Sequence, residues 1–347
     1  MTATRPITIV GGGLAGLTLG IALRQRNVPV ALWEAGHYPR HRVCGEFISG
    51  RGQASLVRLG LYDVIKQAGA IMARTVRFCT PAKAGRIRTL AQPALCLPRD
   101  KMDAMLAGNF RDLGGELREG RRWGGAPDSE GVVLATGRRL QTVADGWRWF
   151  GLKTHVTGLA LDADLEMHVS SRGYVGLCRQ PGGIVNVCGL FRGKSTPAEL
   201  AKGGRELLCG APGSLLHEQM SRATFVPDSF CAVAGINLKP QRAQLQGECR
   251  IGDALTMIPP MTGNGMSIAF ESAELAVEPL VGWGRGEQAW GSTRQDVARQ
   301  CDELLAVRLR WAAALQHLFM FPMLQGRLLA FVSRSDWLWR TMFSKTR

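Results

Sequence analysis

The chain has no Cys-x-x-Cys pair and no zinc-finger spacing, although it carries nine cysteines in 347 residues, at positions 44, 79, 96, 178, 188, 209, 231, 249 and 301. An odd set without a pairing pattern excludes a disulfide framework and points to free thiols in a reducing cytoplasm. No uncharged apolar run reaches the ~18 residues of a membrane span, so a soluble, cytoplasmic protein is expected. The apolar stretch from Ile7 to Leu23 mimics a signal peptide, but no Ala-x-Ala cleavage site follows it. Acidic residues are few, 28 against 43 lysines and arginines, and the net charge is +15. No basic run reaches five residues and no nucleic-acid motif with interleaved aromatics is present, which removes nucleic acid from the expected partners. The charge reads as a solvated basic face, and among partners it favours an anionic membrane surface, an acidic carrier protein or an anionic substrate. No metal is expected either. His37, His41, Cys44 and Glu46 are spaced like ligands, but Arg40 and Arg42 between them would repel a cation, and no further cluster completes a shell of four.

What is present is organised around Ile7–Glu34. Ile7 to Val10 is a short apolar run of the kind buried in a parallel sheet, and Gly11, Gly13 and Gly16 follow in the Gly-x-Gly-x-x-Gly spacing. Gly11 allows the tight turn, Gly13 lets backbone approach a pyrophosphate, and Gly16 lets a helix from Leu14 to Asn27 pack on the strand, with Ala15 inside the same turn. The helix N-terminus offers unpaired N–H groups and a positive dipole end to phosphate. A second strand, Val28 to Trp33, ends at Glu34, placed for a ribose hydroxyl pair; an acid there repels a 2′-phosphate, so FAD or NAD fits better than NADP.

Further along, residues 53–68 suit a helical pair, Thr75–Cys79 and Arg86–Leu90 a hairpin, and Lys101–Leu113 a helix with Met102, Met105, Leu106 and Leu113 on one face. Val132 to Thr136 is another short buried strand closed by Gly137. From Trp147 to about Leu245 the period changes to two, as in Leu165, Met167 and Val169, with Gly173–Cys178 and Ile184–Phe191 flanking a Pro181-Gly182-Gly183 turn. This predicts a sheet domain inserted into the first. Arg250-Ile251-Gly252-Asp253-Ala254 then precedes Ile258 to Met266, in which Gly263 and Gly265 open a helix to about Glu278. The Gly282 to Gly286 stretch lacks a preceding strand and is no second fingerprint. Glu303 to Arg347, rich in aromatics and divided by Pro322 and Gly326, reads as two or three helices. Its aromatics, Trp311 and Phe319 among them, are expected to cap a core; the alternative is an interfacial helix with Arg327, Arg334, Arg340, Lys345 and Arg347 at lipid headgroups.

Arg42-Val43-Cys44-Gly45-Glu46 resembles the loop after the second strand in geranylgeranyl reductases and flavin-dependent halogenases, which share one FAD-dependent superfamily with p-hydroxybenzoate hydroxylase. The resemblance extends over about residues 5–280. It implies that Arg42, Cys44 and Gly45 lie along the flavin, that Arg99 reaches FAD while Asp103 sets its helix, and that Thr136 and Gly137 end a strand beside the pyrophosphate. It further implies that Asp253 accepts hydrogen bonds from the ribityl chain, and that Pro260, Gly263, Gly265 and Met266 form the loop at the flavin ring. The superfamily's Gly-Ala-Asp-Gly sequence is replaced by Ala135-Thr136-Gly137-Arg138. Gly173 and Tyr174 match the reductases' Gly-Tyr-x-Trp hairpin, but Gly176 stands where their tryptophan would be. The halogenase Trp-x-Trp-x-Ile-Pro signature is only half matched by Trp147-Arg148-Trp149-Phe150-Gly151.

The implied fold class is α/β (α+β overall): a Rossmann-type FAD-binding domain with an inserted antiparallel-sheet substrate domain and a helical C-terminus. The implied boundaries are 1–74, 95–143 and 246–290 for the FAD-binding domain, 75–94 and 144–245 for the substrate domain, and 291–347 for the C-terminal segment. The implied activity is that of an FAD-dependent monooxygenase, with NADPH or NADH as diffusible donor and a small apolar or phenolic substrate, free or carrier-bound. A flavin-dependent alkene reductase is the first alternative, and a flavoprotein acting by docking on a membrane or carrier is the second. Cys44, His155 and Tyr174 are the expected catalytic groups. The arginines flanking Cys44 would lower its pKa, an imidazole such as that of His155 suits acid, base or donor work, and Tyr174 is one of only three tyrosines.

Overall fold

The computed structural model describes residues 4–138, 146–170 and 172–319. Its first sheet is parallel throughout. β1 (Ile7–Val10) lies at its centre, flanked by β2 (Val30–Glu34) and β7 (Val132–Leu134), with β6 (Glu116–Glu119) and β14 (Cys249–Arg250) at the edges, in the order β14-β7-β1-β2-β6. Ile7 and Ile9 are fully buried, as expected of a strand covered on both faces. α1 (Leu14–Arg24) is buried on nearly every side because it packs on β1 and against α4 (Arg99–Asp112) and α7 (Gly265–Gly284). Among the described residues no helix is long and apolar enough to cross a membrane.

The second sheet joins β3 (Phe47–Ile48), β4 (Ile71–Cys79), β5 (Arg88–Cys96), β8 (Arg148–Thr157), β9 (Leu165–Ser170), β10 (Gly173–Arg179), β11 (Val185–Gly193) and β12 (Thr224–Phe225), in the order β12-β8-β11-β10-β9-β4-β5-β3; β13 (Cys231–Ile236) also pairs with β8. It is antiparallel with one exception, since β4 and β9 run parallel from Val76↔Leu165 to Cys79↔His168. A parallel pair needs a long crossover. Here the crossover is the passage of the chain through the first sheet by α4, β6 and β7, which period-two patterning cannot show.

Two helices interrupt the stretch expected to be all strand. α5 (Pro197–Leu208) starts with a capping box, Thr196 and Glu199 bonding each other's backbone N–H, and α6 (Leu215–Met220) is capped by Ser214. Leu200, Leu208, Leu216 and Met220 cover the outer face of the sheet, over Phe150, Leu152, Val175 and Val187. Alternation leaves the other face, with Lys153, His155, Tyr174, Asn186 and Cys188, turned toward the first domain. α2 (Gly50–Arg58) and α3 (Tyr62–Gln67) form the expected pair, and α7 runs past Glu278 through Pro279 because Leu280, Val281 and Trp283 are buried. α8 (Trp290–Phe319) runs into the aromatic-rich stretch from Glu303, and Trp311 on it is 43% exposed rather than packed. The readings that concern residues 320–347 lie outside the described residues.

Candidate functional site

The glycine turn after β1 is built around two close approaches and one opening. Gly11 has φ +112°, and a Cβ there would stand 2.3 Å from the Ala135 carbonyl oxygen; a Cβ on Gly16 would stand 2.0 Å from the Gly11 oxygen. At Gly13 a Cβ would meet no described atom within 4 Å. The first helical N–H to find a partner in α1 is that of Leu17, which donates to the Gly13 oxygen at 2.9 Å. The preceding N–H groups therefore face the open space, which is the geometry of an anion cradle. Thr136 and Gly137 leave β7 at the same end, since Leu134 pairs with Val10.

Glu34 closes the other side of the turn. Its carboxylate accepts from Gly12 N and Gly36 N, each at 2.8 Å, and from Arg40 Nη1 at 2.7 Å, with Arg42 Nη2 at 3.7 Å. Burial pushes this carboxyl up, but Arg40 and the Gly36 and Gly12 N–H groups outweigh it and hold Glu34 below its ordinary value. Two guanidiniums face the single Glu34 carboxylate, Arg40 closely and Arg42 at 3.7 Å, so the acid is not bare.

The second glycine turn, far along the chain, abuts the first. A Cβ on Gly252 would touch Ala15 Cβ at 2.9 Å. Asp253 follows in a short 3-10 turn just past β14, its carboxyl pushed up by burial and drawn down by Arg138 and Arg99. Pro260 begins a second 3-10 turn, Gly263 has φ +66° and leaves no room beside Phe47, and α7 starts at Gly265, where a Cβ would again meet no described atom within 4 Å. Met266 is buried one residue later. Two helix N-termini with open glycines thus sit in neighbouring turns.

A cluster of charges lies between the two domains. Glu46, with φ +59°, is fully buried, and its carboxylate accepts from Arg99 N at 3.0 Å, with His155 Nε2 at 2.7 Å and Lys153 Nζ at 3.2 Å. Lys153 is also fully buried and reaches His41 Nδ1 at 3.0 Å, and Asp100 lies 3.6 Å beyond. Burial and Lys153 hold His41 below its ordinary pKa, so its ring is neutral at pH 7 and accepts from the ammonium. Asn186 Nδ2 donates to Cys44 O at 2.9 Å and Gln180 Nε2 to Glu46 O at 3.1 Å, so the sheet grips the 44–46 backbone. Arg99 forms a bidentate pair with buried Asp103 at 2.8 Å in both arms.

Of the expected catalytic groups, His155 gains in Glu46 a carboxylate partner 109 residues away in sequence. Cys44 is corrected: burial raises its pKa by more than Arg99 lowers it, so the thiol is not activated. Tyr174 is 5% exposed, its hydroxyl finds no hydrogen-bond partner among the described residues, and burial raises it well above the phenol range. Sequence reasoning missed Lys153 and Asp100, and weighed His41 and Glu46 only as metal ligands, a reading it set aside. The signal for Lys153 was its position two residues before His155, on the same strand face.

Among the described residues, two groups of side chains have metal-ligand spacing, His41–Asp100–His155 and Cys79–Glu166–His168. Each already holds a cation, Lys153 Nζ in the first and the Arg77 guanidinium, 3.1 Å from Glu166, in the second. Burial pushes Glu166 up, but His168, the Ala163 N–H, Gln219 and Arg77 bring it down to about 2. Glu34, Glu46 and Asp164 are likewise held low. A depressed carboxylate stabilises the fold above its unfolded pKa and loses that contribution as pH falls through the folded one. The urea midpoint should therefore fall between pH 4.5 and about 2, and Glu166→Gln should flatten that fall. A midpoint that rises on acidification would contradict these assignments.

Fold and site together define a two-sheet protein with a Rossmann-type dinucleotide-binding unit. The family described as NAD(P)-binding Rossmann-like domain matches residues 9–45. None of the curated proteins searched matches the chain. Among solved structures, a triple mutant of the flavin-dependent brominase Bmp2 is similar at 16% identity, with a TM-score of 0.70 and 97% of each chain covered. The myxobacterial chondrochloren halogenase CndH, described as a variant of FAD-dependent halogenases, is 18% identical, with a TM-score of 0.72 over 90% of this chain and 82% of its own. PqsL of P. aeruginosa, in complex with 2-aminobenzoylacetate, is 13% identical, with a TM-score of 0.71 over 95% of this chain and all of its own. The chain has the fold of these proteins.

Proposed function

We propose that this chain is an FAD-dependent oxidoreductase, and that it acts as a monooxygenase on a small apolar or phenolic molecule with NADPH or NADH as electron donor. The observation that carries the reading is the contact of Gly252 with Ala15, which brings two open helix N-termini, at Gly13 and Gly265, to neighbouring turns. NAD needs one such turn, whereas the longer FAD needs a second beyond its pyrophosphate. The residues present fit that group: the cradle at Gly13 would take the diphosphate, Asp253 the ribityl hydroxyls, and the α7 N-terminus the edge of the ring that becomes negative on reduction. When bound, FAD would supply the redox chemistry. The protein's part is to bind, to exclude water, and to hold the Glu46 carboxylate against His155 and Lys153.

The alkene reductase alternative needs Cys44 or Tyr174 to release a proton. Burial raises both, which makes them poor acids and favours the monooxygenase. Product formed by the reduced enzyme without oxygen would reverse this choice.

Asp253→Asn tests the cofactor assignment in two opposite directions. A carboxyl whose folded pKa is raised costs stability as pH rises and it ionises. The flavin-free variant should accordingly be more stable than wild type at pH 7, while FAD binding weakens by about 10–100-fold, the worth of hydrogen bonds to a charged group. A variant that keeps wild-type FAD affinity removes Asp253 from the site.

A further inference from the structure

At one end of the second sheet three stretches of chain bring cations around an exposed indole. Gly193↔Arg148 is the last register pair of β11 and β8, so Trp147 and Lys194 leave the sheet side by side. One step earlier Arg192 pairs with Trp149, and its N–H donates to the Arg172 oxygen at 3.0 Å, which brings the turn between β9 and β10 to the same end. Trp147 is 44% exposed, with the Arg192 guanidinium 5.5 Å and the Lys194 ammonium 5.8 Å from its ring centroid. Arg172, Arg192 and Lys194 are exposed and Arg148 is half-buried. The acid that feels Arg148 is Glu199, and its carboxylate is engaged in the capping box of α5. Behind Trp147 the surface stays apolar, since Trp149 and Val233 are only partly buried where they pack near Ile236.

An exposed tryptophan costs a protein apolar surface in water, and one ringed by cations has the two ends that a membrane interface selects: an amphipathic ring for the headgroup layer and positive charge for anionic lipid. Either signal alone gives marginal attachment, and the pair gives a stable one. A single-stranded nucleic acid would use such a ring for base stacking. Here the ring already carries two cations that a base would have to displace. We propose that this end of the second sheet docks on an anionic lipid bilayer, with Trp147 entering the headgroup layer and Arg148, Arg172, Arg192 and Lys194 meeting lipid phosphates. The surface belongs to the described fold and is separate from the basic C-terminal stretch that the sequence offers for the same role.

The test is sedimentation of the full chain with vesicles of phosphatidylcholine, with and without phosphatidylglycerol. It reads lipid binding rather than activity, so its outcome stands whether or not the chain holds FAD. Wild type should sediment with the anionic vesicles, stay in solution with the neutral ones, and be released at about 0.5 M salt, where exposed charges are screened. Arg192→Glu with Lys194→Glu should weaken partitioning by about 100-fold, since each cation near the surface counts and both are reversed. Arg122→Glu with Arg285→Glu makes the same change in net charge at exposed positions just past β6 and α7, and should cost much less. Trp147→Ala should weaken binding several-fold and keep its salt dependence. All of these positions except half-buried Arg148 are exposed, and thermal midpoints should stay at the wild-type value. Brominated phosphatidylglycerol should quench part of the fluorescence of the nine tryptophans, and Trp147→Phe should abolish that part. Equal binding to neutral vesicles, equal losses in the two charge-reversed pairs, or bromolipid quenching that survives Trp147→Phe overturns the proposal. Wild type that ignores both vesicles yet binds single-stranded RNA or an acidic protein through Arg192 and Lys194 also overturns it, and gives the patch to a soluble polyanion.

Discussion

Glu46→Gln should destabilise the protein by about 3–5 kcal/mol, the cost of removing one partner of a buried ion pair. The Lys153 ammonium has no solvent to turn to, being fully buried, and its other partner, His41, is held neutral. The glutamine is isosteric and keeps the backbone at φ +59° as it was, so the loss reports charge rather than shape. Lys153→Met alone should also destabilise, because Glu46 would then face only His155 and the Arg99 N–H. The double variant should recover most of the loss, since replacing both members of a buried pair by neutral groups is often close to neutral in stability. Urea midpoints for the four proteins close this cycle. Additive single losses would mean that the two residues are not coupled, and the cluster would lose its place in the site.

The second large effect separates two glycines two residues apart. Gly11→Ala should damage the fold, because φ +112° is closed to alanine and the added carbon stands 2.3 Å from a backbone oxygen; backbone strain alone is about 1–3 kcal/mol. Gly13→Val should fold normally. Its backbone is already extended, at φ −84° and ψ −172°, and its side chain would enter open space. That space is the proposed diphosphate cradle, so FAD affinity should fall by more than about 100-fold, or roughly 2.7 kcal/mol. Thermal midpoints and flavin titrations on the two variants distinguish the roles. A Gly13→Val protein that binds FAD as wild type does would show the cradle to be a structural turn.

These two glycines also mark what the sequence reveals and what it conceals. Gly11, Gly13, Gly16 and Glu34 belong to one local strand, helix and strand unit, so their spacing alone carries the geometry. The Gly252–Asp253 and Gly263–Gly265 turns were legible for the same reason. The Glu46–His155 pair was not, because its members are 109 residues apart and meet only through the pairing of β8 with β11 and the grip of Asn186 and Gln180 on the 44–46 loop. Lys153 was hidden by its type, since lysine on a strand reads as solvent-facing until its face is known. Cys44 was misjudged because flanking arginines are visible in sequence and burial is not. The helix at Pro197 was missed despite a legible capping box at Thr196 and Glu199, overridden by the period-two pattern around it.

The central claim is that two glycine turns hold one elongated dinucleotide, and Gly265→Val tests it most directly. The substitution enters space free of described atoms at the start of α7, remote in sequence from the fingerprint. In a fluorescence-quenching titration, wild type should bind one FAD per chain, and Gly265→Val should bind it about 100-fold more weakly, which corresponds to roughly 2.7 kcal/mol. Wild type that binds no FAD, or a Gly265→Val protein that binds it unchanged, would contradict the account.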